Sequence, residues 1–241
     1  MSLIKRLVPL QTRNFIRLLL RRHPIEQRQY WPDLEMMKLR RNDVIIDVGA
    51  NAGRFVETAL AFQPYARVHA FEPIPDVYAE LLKKVGAYAN VCCHNLALGS
   101  APGTQALNIS KYHEASSFLD LGSTLMAGVR GIDFSFENVL TVEVDTLTDY
   151  VLRRDIGKIK LLKMDVQGYE IEVLKGAEAI LTRVEYIYTE AQFQELYKDG
   201  PRFTSIFDFL SQRGFELLRM TRFNTDDAGR LIECDMIFRR K

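Results

Sequence analysis

Apolar runs alternate with amphipathic stretches along most of the chain. The run at 44–48 ends in a glycine-rich turn, and a helical pattern follows at 55–62. Continuous apolar runs of this length are typical of strands buried on both faces. The alternation continues, with further strands predicted at 67–71, 91–98, 140–144, 159–164, 185–189, 215–219 and 234–239, and further helices at 76–85, 147–153, 170–181 and 204–213.

This order of elements predicts an α/β fold with a doubly wound, mostly parallel sheet. Strands separated by helices pair in parallel and are covered on both faces. The last two strands have no helix between them and predict a terminal antiparallel hairpin. Residues 99–139 break the rhythm with glycines and mixed polar residues, so we expect an insertion of loops and short strands there.

The N-terminal region has a different pattern. Leucines and arginines interleave over residues 10–22, between Pro9 and Pro24, which predicts a basic helix; Trp31 and Pro32 then indicate an irregular lead-in. Such a helix either packs on its own domain or lies on a membrane surface or a partner. We therefore expect a basic helical extension over residues 1–41 and a single domain over residues 42–241.

Composition narrows the class of protein. The formal net charge is +1, which gives no general attraction to nucleic acid, although residues 1–30 hold seven Arg or Lys against one Glu. Three cysteines, two of them adjacent, favour reduced thiols buried in strands over disulfides. No apolar run approaches the roughly 20 residues of a membrane helix or forms a signal-peptide core, so we expect a cytoplasmic protein. The oligomeric state is left open.

The turn after the first strand carries the strongest chemical signal, Asp47-Val48-Gly49-Ala50-Asn51-Ala52-Gly53. Ligands of doubly wound sheets bind at the carboxyl ends of the strands. Gly49 and Gly53 let the backbone turn tightly near a ligand, and Asn51 offers an amide. Asp47 would repel a pyrophosphate and suits a cofactor with ammonium and sulfonium groups. A plain tight turn is the alternative.

Glu72 ends the next strand, 19 residues after Gly53. An acidic residue at that point of this fold accepts hydrogen bonds from the hydroxyls of a bound ribose. Taken alone, Glu72 could equally cap a helix or lie on the surface. Taken with the turn, it predicts a cofactor that contains a ribose.

These segments resemble the FkbM-type methyltransferase family. The resemblance rests on residues 47–55 and 71–75 and on a second hallmark at 162–177, with comparable stretches at 95–99 and 116–117. It covers residues 42–240. It implies a Rossmann-like methyltransferase fold with a seven-stranded sheet. It also implies O-methylation of hydroxyls on sugars, polyketides or related metabolites, with S-adenosylmethionine as cofactor.

The resemblance also implies cofactor-binding residues. The methionine end of the cofactor would meet Asp47, Gly49, Asn51 and Gly53, the ribose would meet Glu72 with Pro73, and the adenine would lie near Leu96 and Ala97. One residue departs from the family, because its usual Asp-Val-Glu-Gly is Asp165-Val166-Gln167-Gly168 here. The amide of Gln167 changes how an acceptor is held if the family's glutamate orients it, and matters little if that residue only begins a helix.

Methyl transfer to a hydroxyl requires alignment and is helped by a general base. Asp165 ends a core strand and is the first candidate, Glu190 ends the next strand, and His113 lies in the insertion. The alternatives are a helix cap for Asp165, a structural strand end for Glu190 and a solvated side chain for His113. Expected acceptor contacts are Tyr112, Ser116, Ser117 and Gln167. No dense group of acids surrounds Asp165 or Glu190, so no metal is expected.

Two other functions stay open at this point. A nucleotide-dependent oxidoreductase would share the fold, but the third glycine of its fingerprint is missing. A non-catalytic module that keeps the cofactor fold is favoured only by Gln167. A nucleic-acid methyltransferase is disfavoured, because the chain lacks the Asn/Asp-Pro-Pro-aromatic tetrapeptide of many base-amine methyltransferases.

Overall fold

The computed structural model of the chain describes residues 30–126 and 132–241. Its strands are β1 Val44–Val48, β2 Arg67–Phe71, β3 Val91–His94, β4 Ala97–Leu98, β5 Gly103–Ser110, β6 Phe136–Asp145, β7 Ile159–Met164, β8 Val184–Gln192, β9 Phe215–Thr225 and β10 Leu231–Arg240. Its α-helices are α1 Trp31–Met37, α2 Arg54–Phe62, α3 Pro75–Val85, α4 Ser123–Met126, α5 Leu147–Arg153, α6 Glu170–Gly176 and α7 Phe203–Gln212. Short 3₁₀ helices lie at His113–Ala115 and Glu178–Arg183.

A seven-stranded sheet confirms the predicted doubly wound fold. Its strand order is β3-β2-β1-β7-β8-β10-β9. The first five strands in this order, β3, β2, β1, β7 and β8, are mutually parallel. The chain leaves β1 towards β2 and β3 and later returns to β7 on the other side of β1, so the order reverses between β1 and β7. The predicted terminal hairpin is β9–β10, with β10 inserted antiparallel between β8 and β9.

Side-chain alternation along the central strands separates two core layers. Ile45 and Leu161 pack with α1, α2 and α3, whereas Ile46 and Leu162 pack with α5, α6 and α7. Neighbouring residues of a strand point to opposite faces, which explains why these strands are apolar on both faces apart from Asp47, Lys160 and Lys163. The sheet is therefore a rigid support for the loops at its edge.

The insertion is more regular than the sequence indicated. β5 and β6 form an antiparallel pair that joins β4 in a second, three-stranded sheet. The strand predicted at 91–98 is in fact two strands, because Asn95 and Leu96 leave the main sheet and β4 pairs with β6 instead. The helix predicted at 170–181 ends at Gly176 and continues as the 3₁₀ helix.

Two local predictions were wrong. Trp31 and Pro32 begin α1 rather than an irregular segment, with Leu34 and Met37 packed in the core. Cys92 is exposed because β3 is an edge strand; all three cysteines are free thiols, and Cys234 is buried as expected.

The predicted basic helix at 10–22 lies outside the described residues. Within residues 30–126 and 132–241, no helix combines the length and apolarity that crossing a membrane requires.

Candidate functional site: a cavity at the carboxyl ends of the central strands

A cavity of about 520 Å³ opens where the strand order reverses. It is lined by the turn after β1, the ends of β2, β7 and β8, and the insertion that carries the second sheet. Sites for small molecules in doubly wound sheets lie at this reversal point, and their volumes fall in this range. Cofactor candidates on this lining are Gly49, Asn51, Glu72, Pro73, Leu96 and Ala97.

The turn after β1 passes directly over β7. Gly49 has a φ of 72°, and a Cβ there would overlap the carbonyl oxygen of Asp165. Any other residue would therefore push the turn away from β7. The backbone N–H groups of Gly49 and Ala50 both donate to the carbonyl of Phe71, at 3.1 and 2.9 Å. The turn is thus fixed against β2 on one side and β7 on the other.

Glu72 connects the turn to the end of β2. Its Oε2 accepts the N–H of Asn51 and its Oε1 accepts the N–H of Ile74, both at 2.9 Å. The residue is 5% exposed, and burial raises the pKa of the carboxyl to about 7, although the two N–H donors favour the charged form. Each oxygen accepts one of these bonds and can accept another, and Glu72 lines the cavity, which fits a ligand with hydroxyl groups.

Beyond Glu72 the cavity is apolar. Its walls there are Phe71, Ile74, Leu96 and Leu98, with Pro73 between them. Asn95 holds this end in shape, since its Nδ2 donates to the carbonyls of Glu72 and Pro73, each at 2.9 Å. Apolar side chains beside a carboxylate suit a ligand that joins a ring system to a ribose.

Asp47 lies behind the cavity rather than on its lining. It is 0% exposed, and its Oδ1 is 3.1 Å from Nζ of Lys163. The same ammonium donates to the carbonyl of Gly49 at 3.1 Å and lies 3.8 Å from Oδ2 of Asp165. Burial alone would lower the pKa of Lys163, but the adjacent carboxylates outweigh it and raise that pKa. Gly53 is likewise buried and begins α2 from behind the lining.

Gln167 joins the two predicted carboxylates. Its Nε2 donates to Oδ1 of Asp165 at 2.7 Å and to Oε2 of Glu190 at 3.2 Å, and its Oε1 accepts the hydroxyl of Tyr197 at 2.8 Å. The residue has a φ of 54° in a tight turn. Oε1 of Glu170 accepts the N–H groups of Val166 and Gly168 in that turn, at 3.2 and 3.3 Å. Asp165 therefore faces the cavity with its position fixed by Gln167.

The C-terminal hairpin adds a third carboxylate. Glu233, on β10, lies beside Glu190, and its Oε1 accepts from Nδ2 of Asn224 at 2.7 Å. Burial and the neighbouring Glu233 raise the pKa of Glu190 well above its ordinary value, and burial also raises the pKa of Glu233. The two carboxyls therefore bind a proton more readily than exposed carboxyls do.

The insertion brings only part of its predicted contacts to the cavity. Tyr112 and Ser116 lie on the lining, and the Tyr112 hydroxyl donates to Oε2 of Glu114 at 2.7 Å. Ser117 is buried off the lining and donates to the backbone carbonyl of Gln167 at 2.6 Å. His113 lies in a 3₁₀ helix beside them, and its side chain lies outside what the structure describes.

Sequence reasoning missed three residues that shape this cavity: Lys163, Tyr197 and Glu233. A signal for Lys163 was present, because a lysine inside an apolar strand needs a buried anionic partner. Tyr197 and Glu233 come from segments whose patterns show only a loop and an edge strand. The sheet order puts Glu233 beside Glu190, and the segment after β8 carries Tyr197 to Gln167.

The sequence of the chain is similar to a known domain family and to known methyltransferases. Residues 47–217 match the Methyltransferase FkbM domain. The chain is 28% identical over 179 residues to the 2-O-methyltransferase NoeI of Sinorhizobium fredii, an alignment that covers 73% of each chain. It is 32% identical over 164 residues to the 31-O-demethyl-FK506 methyltransferase FkbM of Streptomyces tacrolimicus, covering 59% of this chain and 62% of that protein.

A solved structure has the same fold. A chain in the crystal structure of a fibrillarin/Nop5p complex aligns with a TM-score of 0.50 and 12% identity, over 90% of this chain and 83% of that one. At this identity the likeness concerns the sheet and its covering helices only.

Proposed function

Because the chain belongs to the FkbM methyltransferase family, we propose that it transfers a methyl group from S-adenosylmethionine to a hydroxyl of a sugar, polyketide or related small metabolite. We call the turn after β1 the cofactor turn. The observation that carries this proposal is the contact of this turn with Asp165. Gly49 lies against the carbonyl of Asp165, and both residues line one cavity. A cofactor bound at this turn would therefore lie beside the carboxylate of Asp165, which would act as the proton acceptor.

The residues present fit this cofactor. Glu72 would hold the ribose hydroxyls, Leu96 and Ala97 with Pro73 would hold the adenine, and Gly49 and Asn51 would border the methionine chain. We propose that Asp47 acts indirectly, through the ammonium of Lys163 that also holds the Gly49 carbonyl. When bound, S-adenosylmethionine supplies a methyl group that its positively charged sulfur activates.

The protein's own contribution is alignment and proton transfer. The Asp165 carboxylate would accept the proton of the acceptor hydroxyl, while Gln167 keeps Oδ1 in place and Lys163 lies near Oδ2. Glu190 is half-buried and accepts the second hydrogen bond of Gln167. It would therefore help to position Gln167 rather than act as the proton acceptor itself. Holding the reacting atoms in line provides much of the rate enhancement in such a transfer.

The insertion would cover the acceptor. We propose that residues 99–139 form the acceptor side of a methyltransferase domain that spans residues 42–241. In support, Tyr112, Ser116, Phe118, Leu125 and Phe134 all line the cavity. A covering wall of this kind excludes water from the reacting atoms.

Methyl transfer can be tested without knowing the acceptor. The full chain is incubated with S-adenosylmethionine carrying an isotopically labelled methyl group and a panel of hydroxylated metabolites, and labelled products are detected by mass spectrometry. Asp165→Asn should lower the rate at least about tenfold while S-adenosylhomocysteine affinity stays near wild type. Asp208→Asn, an exposed position on α7, is the control and should change neither quantity.

A parallel loss of cofactor affinity and activity in Asp165→Asn would assign Asp165 to the cofactor site. Unchanged activity would remove it from catalysis and direct attention to Glu190 and His113. Labelled product on a nitrogen or carbon atom, with none on oxygen, would contradict O-methylation.

The basic segment 10–22 supports one further proposal, peripheral contact with an anionic membrane. Co-sedimentation of the full chain with phosphatidylserine vesicles, compared with phosphatidylcholine vesicles, tests it. Equal binding to both, or none, would contradict it.

A further inference from the structure

The cavity has two chemically different walls away from the cofactor turn. We name the first the carboxylate wall: Asp165 on the turn after β7, Glu190 on β8 and Glu233 on β10. The second is the apolar wall, whose members pack together in one cluster: Ala115, Leu125, Phe134, Leu196 and Ile232. If the proposed function holds, the acceptor lies between these walls, since the sheet order puts β8 and β10 on the far side of β1 from Glu72.

The carboxylate wall is a connected array. Gln167 bridges Asp165 and Glu190, Glu190 lies beside Glu233, and Asn224 donates to Glu233. The donors that hold the array are therefore neutral amides. Amides satisfy the hydrogen bonding of carboxylates without cancelling their charge.

Few of the described cations lie on the cavity lining, and the one nearest the carboxylate wall is Lys163, 3.8 Å from Oδ2 of Asp165. Among the described residues that line the cavity, the Lys and Arg side chains are Arg54, Lys84 and Lys163. Lys163 is paired with Asp47 at 3.1 Å, and Arg54 lies 3.9 Å from Glu114 on the insertion. Lys84 belongs to α3, which covers the β2 side of the sheet. We call the part of the cavity between the carboxylate wall and the apolar wall the acceptor end. Its side chains are thus negative overall.

We propose that Glu190 and Glu233 make the acceptor end selective for charge. They admit a hydroxylated acceptor that is neutral, or bears an ammonium group, beside the reacting hydroxyl, and they exclude acceptors that bear carboxylate, phosphate or sulfate there.

The reason is like-charge repulsion in a partly enclosed site. An anion placed against Glu190 and Glu233 loses water and meets, among the described residues, no Lys or Arg paired with either carboxyl, whereas an ammonium gains a charge-assisted hydrogen bond. Burial raises the pKa of both carboxyls and so favours proton uptake, and two carboxyl groups in contact share such a proton. That proton also lets the pair donate to a neutral hydroxyl.

Glu233 lies outside the segment that matches the FkbM domain, whereas Glu190 lies inside it. The match to the FkbM domain ends at residue 217, whereas Asn224, Ile232 and Glu233 lie on the hairpin beyond it and still line the cavity. A shared domain would thus supply the methyl-transfer chemistry, and the C-terminal hairpin would help to choose the acceptor.

Cofactor-linked probes test this selectivity without a known acceptor. In three analogues of S-adenosylhomocysteine, nitrogen replaces the sulfur and carries a 2-aminoethyl, a 2-hydroxyethyl or a carboxymethyl arm that extends into the acceptor end. Affinities are measured by calorimetry on the full chain at neutral pH. The aminoethyl probe should bind at least about tenfold more tightly than the carboxymethyl probe, with the hydroxyethyl probe between them.

The double variant Glu190→Gln with Glu233→Gln should reduce this ratio at least about threefold, and it should fold because it removes repulsion between the two carboxyls. Glu216→Gln, an exposed glutamate of the same hairpin, is the matched control and should leave the ratio unchanged. A wild-type ratio near one, or an unchanged ratio in the double variant, overturns the selectivity while the proposed function stands. If S-adenosylhomocysteine and all three probes fail to bind, the proposed function itself fails.

Discussion

The ammonium of Lys163 lies 3.1 Å from Oδ1 of Asp47, and both side chains are almost wholly buried. The pair joins β7 to the end of β1, where the strand order reverses. Lys163 also donates to the carbonyl of Gly49, so it fixes the turn that would face the cofactor. One buried ion pair thus couples the stability of the sheet to the shape of the site.

Lys163→Met should destabilise the fold by about 3–5 kcal/mol, because it leaves the carboxylate of Asp47 buried without a counter-charge. Urea denaturation at pH 8 measures the loss. Lys160→Met on the same strand removes a pair with the half-exposed Glu185 and should change stability by at most about 1 kcal/mol.

A double variant distinguishes the lost charge pair from lost packing. Asp47→Asn with Lys163→Met leaves no unpaired charge and should be more stable than Lys163→Met alone. A double variant less stable than either single variant would show that the two residues act independently.

Glu72→Gln should weaken S-adenosylhomocysteine binding by about 1–3 kcal/mol, the range for a lost hydrogen bond to a charged group. In the wild type, affinity should also fall as the pH drops through about 7, the pKa of Glu72, because hydroxyl donors favour the ionised carboxyl. Calorimetry from pH 8 to 6 measures both effects. Glu80→Gln, exposed on α3, should behave like wild type; equal affinities for all three proteins would remove Glu72 from the site.

The places of Gly49 and Glu72 on the cavity lining could be predicted from sequence, because both depend on the local order of strand and turn. Gly49 and Glu72 follow buried strands at a spacing that the fold itself sets. Asp47 shows the limit of this reasoning. Its type and position indicated a ligand contact, but its partner comes from β7, more than a hundred residues later, and a local pattern does not identify such a partner.

Gln167→Glu, which restores the family's usual residue, should lower stability by about 1–3 kcal/mol at pH 8. The amide donates to Asp165 and Glu190, and a carboxylate in its place would repel both. The added carboxyl would have a raised pKa in the folded protein, so the deficit should shrink as the pH falls and a proton restores a donor.

Urea denaturation at pH 8 and pH 5.5 compares this variant with Gln63→Glu. The Gln63 contact uses its oxygen, which accepts the N–H of Tyr65, and glutamate keeps that acceptor. A Gln167→Glu protein as stable as the control at both pH values would mean that the amide bridge contributes nothing.

A pair of histidines should make the fold sensitive to acid. The hydroxyl of Tyr150 lies 2.8 Å from Nδ1 of His69 and 2.7 Å from Nε2 of His94, so both half-buried rings have a hydrogen-bond partner. Burial lowers the pKa of both imidazoles to about 4. Unfolded histidines titrate near about 6.5, so the unfolded chain binds more protons between these values. The stability that these groups contribute is present above pH 6.5 and is lost as the pH falls towards 4.

His94→Gln removes one of these titrations while keeping a hydrogen-bonding side chain. Its stability should fall less than that of wild type between pH 6.5 and 4, and the two profiles should be parallel between pH 7 and 8. Parallel profiles over the whole range would contradict the lowered pKa.

The acceptor end could not be predicted in the same detail. Residues 99–139 lack periodicity, yet they contain β5. This strand pairs with β6, and many of its residues are exposed or half-exposed, so it has no apolar run that would reveal it in the sequence. In the sequence, Glu233 is a polar residue next to a predicted strand in which residues alternate between the two faces. It reaches the cavity because β10 inserts between β8 and β9, an order that strand patterns do not specify.

Every role proposed for the cavity residues depends on binding of S-adenosylmethionine at the ends of β1, β2 and β7. Calorimetric titration of the full chain with S-adenosylmethionine, S-adenosylhomocysteine and NAD tests it most directly. We predict saturable binding of the first two with one site per chain, weakened in Glu72→Gln, and no binding of NAD. Binding of NAD, with no binding of either S-adenosyl compound, would contradict the account.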